Sequence, residues 1–324
     1  MKTNDELRGL AWDCLWREGW FGRLLGGFIL LLLCAQAVQI VVGMLLTAVD
    51  AQTWADHMLL VARNRYDLTT PVPQLRGEYL FRLVVATGFV QFISLVLSGI
   101  FAFGMSKILL MCLARDTRDW LPEAFAGYKD PFGMFWLQFR LMLIYLGWEL
   151  LAFFVIGVVM GALSRVLLVP VLKSGDAVSA AVAGGALSVF VLVVMTGAVI
   201  VPFYRYRFLW LVKASHPDWG AGRCLLACRQ LTDGQKLRSF YLDCSYWKPI
   251  TLLLGLAAAM VGLVLLLCLK AGGVPFMLLG SILLFVLVIL FIAGLVFVSQ
   301  YVSVGQAHLF AELRERPGAL QTEG

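Results

Sequence analysis

The sequence predicts an all-α polytopic membrane helix bundle, with six transmembrane helices and short interfacial helices on the cytoplasmic side. Of the 324 residues, 61% are hydrophobic and 14% are charged, whereas soluble domains have about 25% charged residues. A chain with so little charge cannot cover a water-exposed surface, so we expect most of its surface to face lipid. A second observation is that six apolar runs are each long enough to cross a bilayer.

The six apolar runs define the membrane part of the chain. A bilayer core of about 30 Å needs about 20 residues of helix. The runs lie at 24–49, 83–113, 135–161, 177–202, 249–269 and 275–303. Backbone polar groups in lipid must be satisfied within the segment, so each run is predicted to be a helix. We predict a single integral membrane domain over 1–324, with a cytoplasmic N-terminal helix in 1–23 and a cytoplasmic basic and aromatic segment at 203–248.

The distribution of basic residues predicts the orientation. If the N-terminus is cytoplasmic, the inner segments hold 17 Lys and Arg residues and the outer segments hold 7. Cytoplasmic loops carry the excess of basic residues, so both termini are predicted to be cytoplasmic. We therefore interpret the net charge of +6 as the charge that sets the orientation of the membrane helices, and no nucleic-acid partner is predicted.

Two connecting segments are predicted to contain short helices. In the outer segment 50–79, apolar residues at 54–61 predict a helix lying on the surface. In the segment 203–248, we expect a helix that is capped by Asp218 and is ended by the Thr-Asp-Gly sequence at 232–234. A second short helix is expected from about residue 235 toward residue 246.

The third apolar run carries two charged residues, Arg140 and Glu149. Glu149 falls near the middle of the run, where a charge costs roughly 2.5–3.5 kcal/mol on insertion scales. We therefore expect neighbouring helices to bury this helix, with Glu149 facing the interior. Gln36 and Gln39 of the first run lie at a similar depth, and Lys107 lies toward the inner end of the second run. These five residues form a candidate intramembrane polar site, which is either an interhelical polar clamp or the ion site of a transporter or channel.

The segment 203–248 supplies a second candidate site. It combines arginines and lysines with aromatic residues, a mixture typical of a membrane interface. Each basic residue near an anionic surface contributes about 1 kcal/mol of attraction. The candidate surface comprises Arg205, Arg207, Trp210, Lys213, Arg223, Arg229, Lys236 and Arg238. It predicts contact with anionic lipid headgroups or with another membrane protein, and the alternative is an interfacial collar without a specific ligand.

The sequence favours no catalytic, metal or cofactor site. The seven cysteines are scattered, and Cys14, Cys224, Cys228 and Cys244 fall in predicted cytoplasmic segments, where thiols stay reduced. Cys224, Cys228 and His216 lack a fourth ligand for structural zinc. No nucleotide-binding or hydrolase motif is present. We therefore predict a non-enzymatic protein without a cofactor or metal, and the sequence gives no oligomeric state.

Four groups of residues resemble a known family. The first group is Leu7-Arg8, Ala11, Leu15 and Gly19-Trp20, and the second is Pro202, Tyr206 and Pro217-Asp218. The third is Arg229, Leu231, Gly234, Lys236, Phe240, Leu242 and Ser245, and the fourth is Tyr301, Ala307, Phe310 and Leu313. Together they resemble the bacterial multi-pass membrane proteins called domain of unknown function 975. The resemblance implies a bacterial plasma (inner) membrane location. Through a similarity of such domains to the membrane part of some glycerophosphodiester phosphodiesterases, it also implies work close to lipid, by analogy alone.

Overall fold

The computed structural model describes residues 2–64, 77–163, 177–271 and 274–316. Within these ranges the ordered elements are helices and no strand is present. The α-helices are α1 (Asn4–Trp16), α2 (Trp20–Asn64), α3 (Gly77–Ala114), α4 (Leu121–Ala124), α5 (Pro131–Leu163), α6 (Ala177–Arg205), α7 (Leu209–Ser215), α8 (Ala221–Thr232), α9 (Lys236–Ser245), α10 (Trp247–Ala271) and α11 (Val274–Arg314). One 3-10 helix covers Ala126–Lys129.

Five stretches of the described chain are long and apolar enough to cross a membrane. They are Trp20–Met44, Gly88–Ala114, Pro131–Leu163, Gly184–Ser215 and Phe285–Arg314. These stretches confirm the all-α class and the membrane-helix character that the sequence predicts. The remaining predicted run lies in α10, which has 25 residues and contains a shorter apolar stretch, Trp247–Ala259.

The second membrane helix, α3, lies at the centre of the bundle. It packs against α2, α5 and α11 on its length and against the short helices α4 and α7 near its end. In its most apolar window 61% of the residues are buried, against 6% for α5. The expectation that the third helix is the one buried by its neighbours is therefore wrong. Glycines explain the difference, since Gly99 and Gly104 let the backbones of neighbouring segments approach α3 closely.

The first membrane helix is longer than a bilayer requires. α2 has 45 residues, which at about 1.5 Å per residue is about twice the thickness of a hydrocarbon core. The predicted separate surface helix at 54–61 is thus a continuation of α2, which runs unbroken to Asn64. The rest of that predicted outer segment, 65–76, lies outside the described residues.

The short helices form a layer at one end of the bundle, which we call the cap: α1, α4, the 3-10 helix, α7, α8 and α9. Helices α2, α5 and α10 begin at the cap, and α3, α6 and α11 end there. The largest buried apolar cluster lies here, with Leu7 and Leu15 of α1 packed among residues of α3, α7, α8 and α11. α1 is started by a capping box, in which Thr3 and Glu6 exchange hydrogen bonds between side chain and backbone. The compact core therefore lies in the cap.

The structure revises the elements expected within 203–248. It contains α7, which was not predicted, and α8 has Gly220 at its N-cap position in place of Asp218. The chain at 217–219 is instead held from α7, because Lys213 binds the carbonyl groups of Pro217 and Trp219. The end of α8 at Thr232 is confirmed, with Gly234 in the left-handed region at φ +69°. α9 is also confirmed within one residue at its ends.

One cysteine prediction needs correction. Cys14 of α1 is joined to Cys112 of α3 by a disulfide, whereas the sequence places Cys14 among reduced cytoplasmic thiols. Both side chains are buried in the cap core, so packing brings them together. Cys224, Cys228 and Cys244 are free, and Cys244 alone of these three is exposed. Burial raises the pKa of the Cys228 thiol to about 12, so that side chain stays neutral.

Candidate functional site

A groove of about 660 Å³ opens between the cap and the adjoining ends of the membrane helices. Its walls come from the end of α3, α4, the 3-10 helix, the start of α5, α7 and the loop before α8. The charged lining residues are Lys107, Glu123, Lys129, Asp130, Lys213 and Asp218. Among its aromatic lining residues are Phe103, Phe132, Trp136 and Trp219. Charge and aromatic surface therefore meet at the point where apolar helices end.

Lys213 holds one wall of the groove in place. Its side chain is buried, with 5% of the residue exposed. Its Nζ donates to the carbonyl oxygen of Pro217 at 2.6 Å and to that of Trp219 at 2.9 Å. A buried ammonium must be satisfied by acceptors, and these two carbonyls fix the loop that carries Asp218 and Trp219. Lys213 is therefore an anchor for the wall as well as a source of positive potential.

Lys107 and Glu123 form a loose ion pair on the opposite wall. The Lys107 Nζ lies 3.9 Å from a Glu123 carboxylate oxygen, which is beyond hydrogen-bond distance. The Nζ also lies 5.8 Å from the centre of the Phe103 ring. The same pair lines a second depression, of about 470 Å³, together with Asp116, Arg118 and Asp119. The ion pair thus separates two polar depressions and remains accessible from both.

Two tryptophans of the groove carry cationic neighbours. The Arg140 guanidinium lies 5.0 Å from the centre of the Trp136 ring, and the Arg223 guanidinium lies 4.5 Å from that of Trp219. Trp219 is also stacked on His216, with ring centres 4.0 Å apart. Burial lowers the pKa of His216, and the positive charges of Arg314 and Arg223 lower it further. His216 is therefore neutral near pH 7 and serves as a packing surface for Trp219.

The predicted intramembrane polar site is not assembled as one cluster. Gln39 donates from Nε2 to the Ser94 hydroxyl of α3 at 2.8 Å, and Gln36 is exposed. Lys107 pairs with Glu123, and Arg140 lies beside Trp136 and the first turn of α8. No hydrogen bond or ion pair joins the Glu149 side chain to another described residue. The structure instead places Lys107 in the wall of the groove and Arg140 beside Trp136 of that wall.

The predicted basic surface divides into inward and outward side chains. Arg207 donates to the Asp243 carboxylate at 3.0 Å, and Arg238 donates to the Glu312 carboxylate and to the carbonyl oxygen of Lys2. With Lys213, these side chains are used inside the protein. Arg223 and Arg229 are exposed, whereas Arg205, Trp210 and Lys236 are partly buried. A continuous basic face made of all eight residues is therefore not present.

Sequence reasoning did not select most residues of the groove as a site. It missed the charged residues Glu123, Lys129, Asp130 and Asp218 and all four aromatic residues, Phe103, Phe132, Trp136 and Trp219. Glu123, Lys129 and Asp130 lie in the short charged segment between α3 and α5, and this charge density next to two apolar runs was the available signal. Asp130 also starts α5, since its carboxylate accepts a hydrogen bond from the Gly133 amide at 2.9 Å. In the described part of the chain no group of three or more His, Cys, Asp or Glu residues is arranged to hold a metal.

The helices and the groove define the class of the protein. Apolar helices long enough to cross a membrane are consistent with a multi-pass membrane protein. No protein-family profile, curated protein sequence or solved structure matches the chain. The resemblance to domain of unknown function 975 therefore stays a prediction.

Proposed function

We propose that this chain is a non-enzymatic membrane module that holds the phosphate of a lipid headgroup in the groove beneath its cap. The proposal includes six membrane passes, both termini in the cytoplasm and a bacterial plasma membrane location. Three helices begin at the cap and three end there, which is the alternation that six passes require. The excess of basic residues on the cap side supports the cytoplasmic orientation.

The groove is the observation that carries the proposal. Lys107 and Lys129 line it beside Trp136 and Trp219, and tryptophan rings favour the headgroup level of a bilayer. Ammonium groups of lysine bind phosphate as point charges. The groove lies where apolar helices meet the cap, so a headgroup can enter it while the acyl chains remain beside the helices.

Internal contacts limit which basic residues of the segment 203–248 can attract lipid. Arg207, Lys213 and Arg238 are held by internal partners, so they are not available as a loose electrostatic anchor. The exposed Arg223 and Arg229 still add positive potential near the surface. We therefore assign specific contact to the groove and a weaker, unspecific attraction to the exposed arginines.

A transporter or channel built around Glu149 gains no support from the geometry. Its proposed partners have other contacts, since Gln39 binds Ser94 and Lys107 pairs with Glu123. α5 itself packs between α3 and α6, and only 6% of the residues in its most apolar window are buried. We therefore keep the lipid-binding module as the single proposed function.

Measurement of retained lipid tests the proposal. The full chain is purified in mild detergent, and lipid phosphorus per protein is compared between the wild type and the double variant Lys107→Gln, Lys129→Gln. We expect the double variant to lose most of the tightly held phospholipid, because both ammonium groups at the phosphate position are removed. The control is Arg17→Gln with Lys248→Gln, which removes the same charge from exposed positions outside the groove. Equal lipid retention by both double variants would overturn the proposal.

A further inference from the structure

The groove is balanced in charge. Three lysines line it, Lys107, Lys129 and Lys213, and so do three carboxylates, those of Glu123, Asp130 and Asp218. A ligand that carries only negative charge would meet the attraction of the lysines and the repulsion of the carboxylates together. A ligand with one charge of each sign finds a partner for both.

The positions of the charges suit such a ligand. Lys107 and Glu123 stand 3.9 Å apart without a hydrogen bond, and their side chains are 23% and 43% exposed. Each can therefore turn to a ligand group of opposite charge at little cost. Asp218 is exposed on the facing wall, on the loop that Lys213 holds in place. Each of the two walls thus presents a cationic group and an anionic group to one space.

A second space lies along two of the helices that line the groove, α3 and α5. A crevice of about 470 Å³ lies between α3 and α5. Its lining residues are Gly88, Gln91, Phe92, Ser94, Leu95, Ser98, Phe135, Phe139 and Met142. Phe132 of the groove and Phe135 of the crevice are in ring contact, with centres 6.2 Å apart. The crevice therefore begins about one helical turn beyond the groove on α5, along the membrane-crossing part of the bundle, and its wall is largely apolar.

We propose that the groove and the crevice together bind one zwitterionic glycerophospholipid with an amino headgroup. The phosphate lies by Lys107 and Lys129, the ammonium lies by Glu123 and Asp218, and one acyl chain lies in the crevice. This inference rests on the proposed function and names its ligand class. It replaces an anionic lipid with a zwitterionic one, because the carboxylates of the groove have a role only when the ligand carries a positive charge.

Competition between lipids of equal chain length tests the headgroup. Delipidated full-length protein in detergent is titrated with phosphatidylethanolamine, phosphatidylglycerol and phosphatidylcholine, and the bound lipid is counted by native mass spectrometry. We expect phosphatidylethanolamine to bind about tenfold more tightly than the other two, the size of one charge-assisted hydrogen bond. Phosphatidylcholine carries the same charges without N–H donors, so it separates charge from hydrogen bonding.

Substitutions of the carboxylates should reverse the selectivity between phosphatidylethanolamine and phosphatidylglycerol. Loss of folding would lower both affinities and would not produce such a reversal. Glu123→Gln removes one negative charge. It should lower the affinity for phosphatidylethanolamine and raise the affinity for phosphatidylglycerol. Asp218→Asn, in an exposed loop, should act in the same direction if Glu123→Gln proves poorly folded. The matched control Glu315→Gln removes an exposed carboxylate outside the groove and should leave the order of the three lipids unchanged.

Filling the crevice tests the position of the chain. Ser98→Phe places a ring in the crevice and should lower the affinity for all three lipids to the same extent. The affinity for soluble phosphoethanolamine should stay as in the wild type. Equal affinity for phosphatidylethanolamine and phosphatidylglycerol, with both reduced by Lys107→Gln, would overturn the zwitterion assignment and leave the lipid-binding function standing. Absence of any effect of Lys107→Gln on all lipids would remove the proposed function itself.

Discussion

Gly104 lies where the backbone of α3 meets the carbonyl group of Ala124 in α4. A Cβ atom at this position would overlap the Ala124 oxygen and press on the side chain of Leu31. Since the obstructing atom belongs to the backbone, relief requires a shift of the whole helix. We expect Gly104→Ala to reduce the stability of the protein by about 1–3 kcal/mol, the usual cost of overpacking. The measurement is the loss of the monodisperse peak in size-exclusion chromatography after heating in detergent.

A control for this substitution exists on the same helix. Gly88 of α3 is exposed, and a Cβ there would meet no atom within 4 Å. Gly88→Ala should leave the heating curve unchanged or shift it upward, because alanine favours a helix over glycine. A parallel loss of stability in both variants would mean that close packing at Gly104 is not what holds α4 on α3.

At the residue scale, the sequence specifies the side-chain types but does not show which hydrogen-bond or ion-pair partners they have. Lys213 was predicted to face lipid or a partner protein. It is instead buried and donates to the carbonyl groups of Pro217 and Trp219 in the loop before α8. Arg207 and Arg238 are the same case, since their acceptors Asp243 and Glu312 lie on other helices. Local composition identified a basic segment correctly, but only the folded chain decides which of its charges remain exposed.

An ion pair contributes to the joint between α9 and α11, beside the hydrogen bonds of Gln306 with Ser239 and Asp243. Arg238 donates to both carboxylate oxygens of Glu312, at 3.1 and 3.0 Å, and the two side chains are 17% and 15% exposed. Removal of one partner leaves a mostly buried charge unpaired, which costs about 3 kcal/mol or more. We therefore expect Arg238→Met and Glu312→Gln each to lower the thermal stability strongly, and the double variant to be no worse than the more damaging single one.

An exposed pair on the same side of the protein provides the comparison. Asp13, in the last turn of α1, and Arg17, the residue directly after α1, form a contact at 3.3 Å, with 43% and 80% of their side chains exposed. Exposed pairs contribute little because water screens them, so Arg17→Met should change the melting curve very little. Strictly additive losses in the Arg238 and Glu312 cycle would show that the two residues act independently and would contradict a coupled joint.

At the element scale, the helices could be predicted but their arrangement could not. The apolar runs located the membrane helices because length and hydropathy are local properties. Which helix is central is not local, since lipid is as apolar as a neighbouring helix and gives no hydrophobic preference between them. Glu149 led to the prediction that its neighbours bury α5. The small residues Gly99 and Gly104 instead allow the close packing that makes α3 the central helix. The groove was missed for the same reason, because its walls come from six separate segments.

On the scale of the whole molecule, two features bear on orientation. The excess of basic residues near the cap favours a cytoplasmic cap, whereas disulfides such as that between Cys14 and Cys112 are typical of oxidising compartments. The charge bias rests on the whole chain, with 17 basic residues against 7. We therefore give the charge bias the greater weight.

Cys244 offers a direct measurement of orientation, because it is exposed on α9 while Cys224 and Cys228 are buried. In intact bacterial cells a membrane-impermeant maleimide should leave the protein unlabelled, and permeabilised cells should show labelling that Cys244→Ser removes. Burial raises the pKa of the Cys224 and Cys228 thiols, so neither forms the reactive thiolate and neither should contribute signal. Labelling of Cys244 in intact cells would place the cap outside. That outcome would move the groove to the outer leaflet, and it would make the disulfide the better indicator of the compartment.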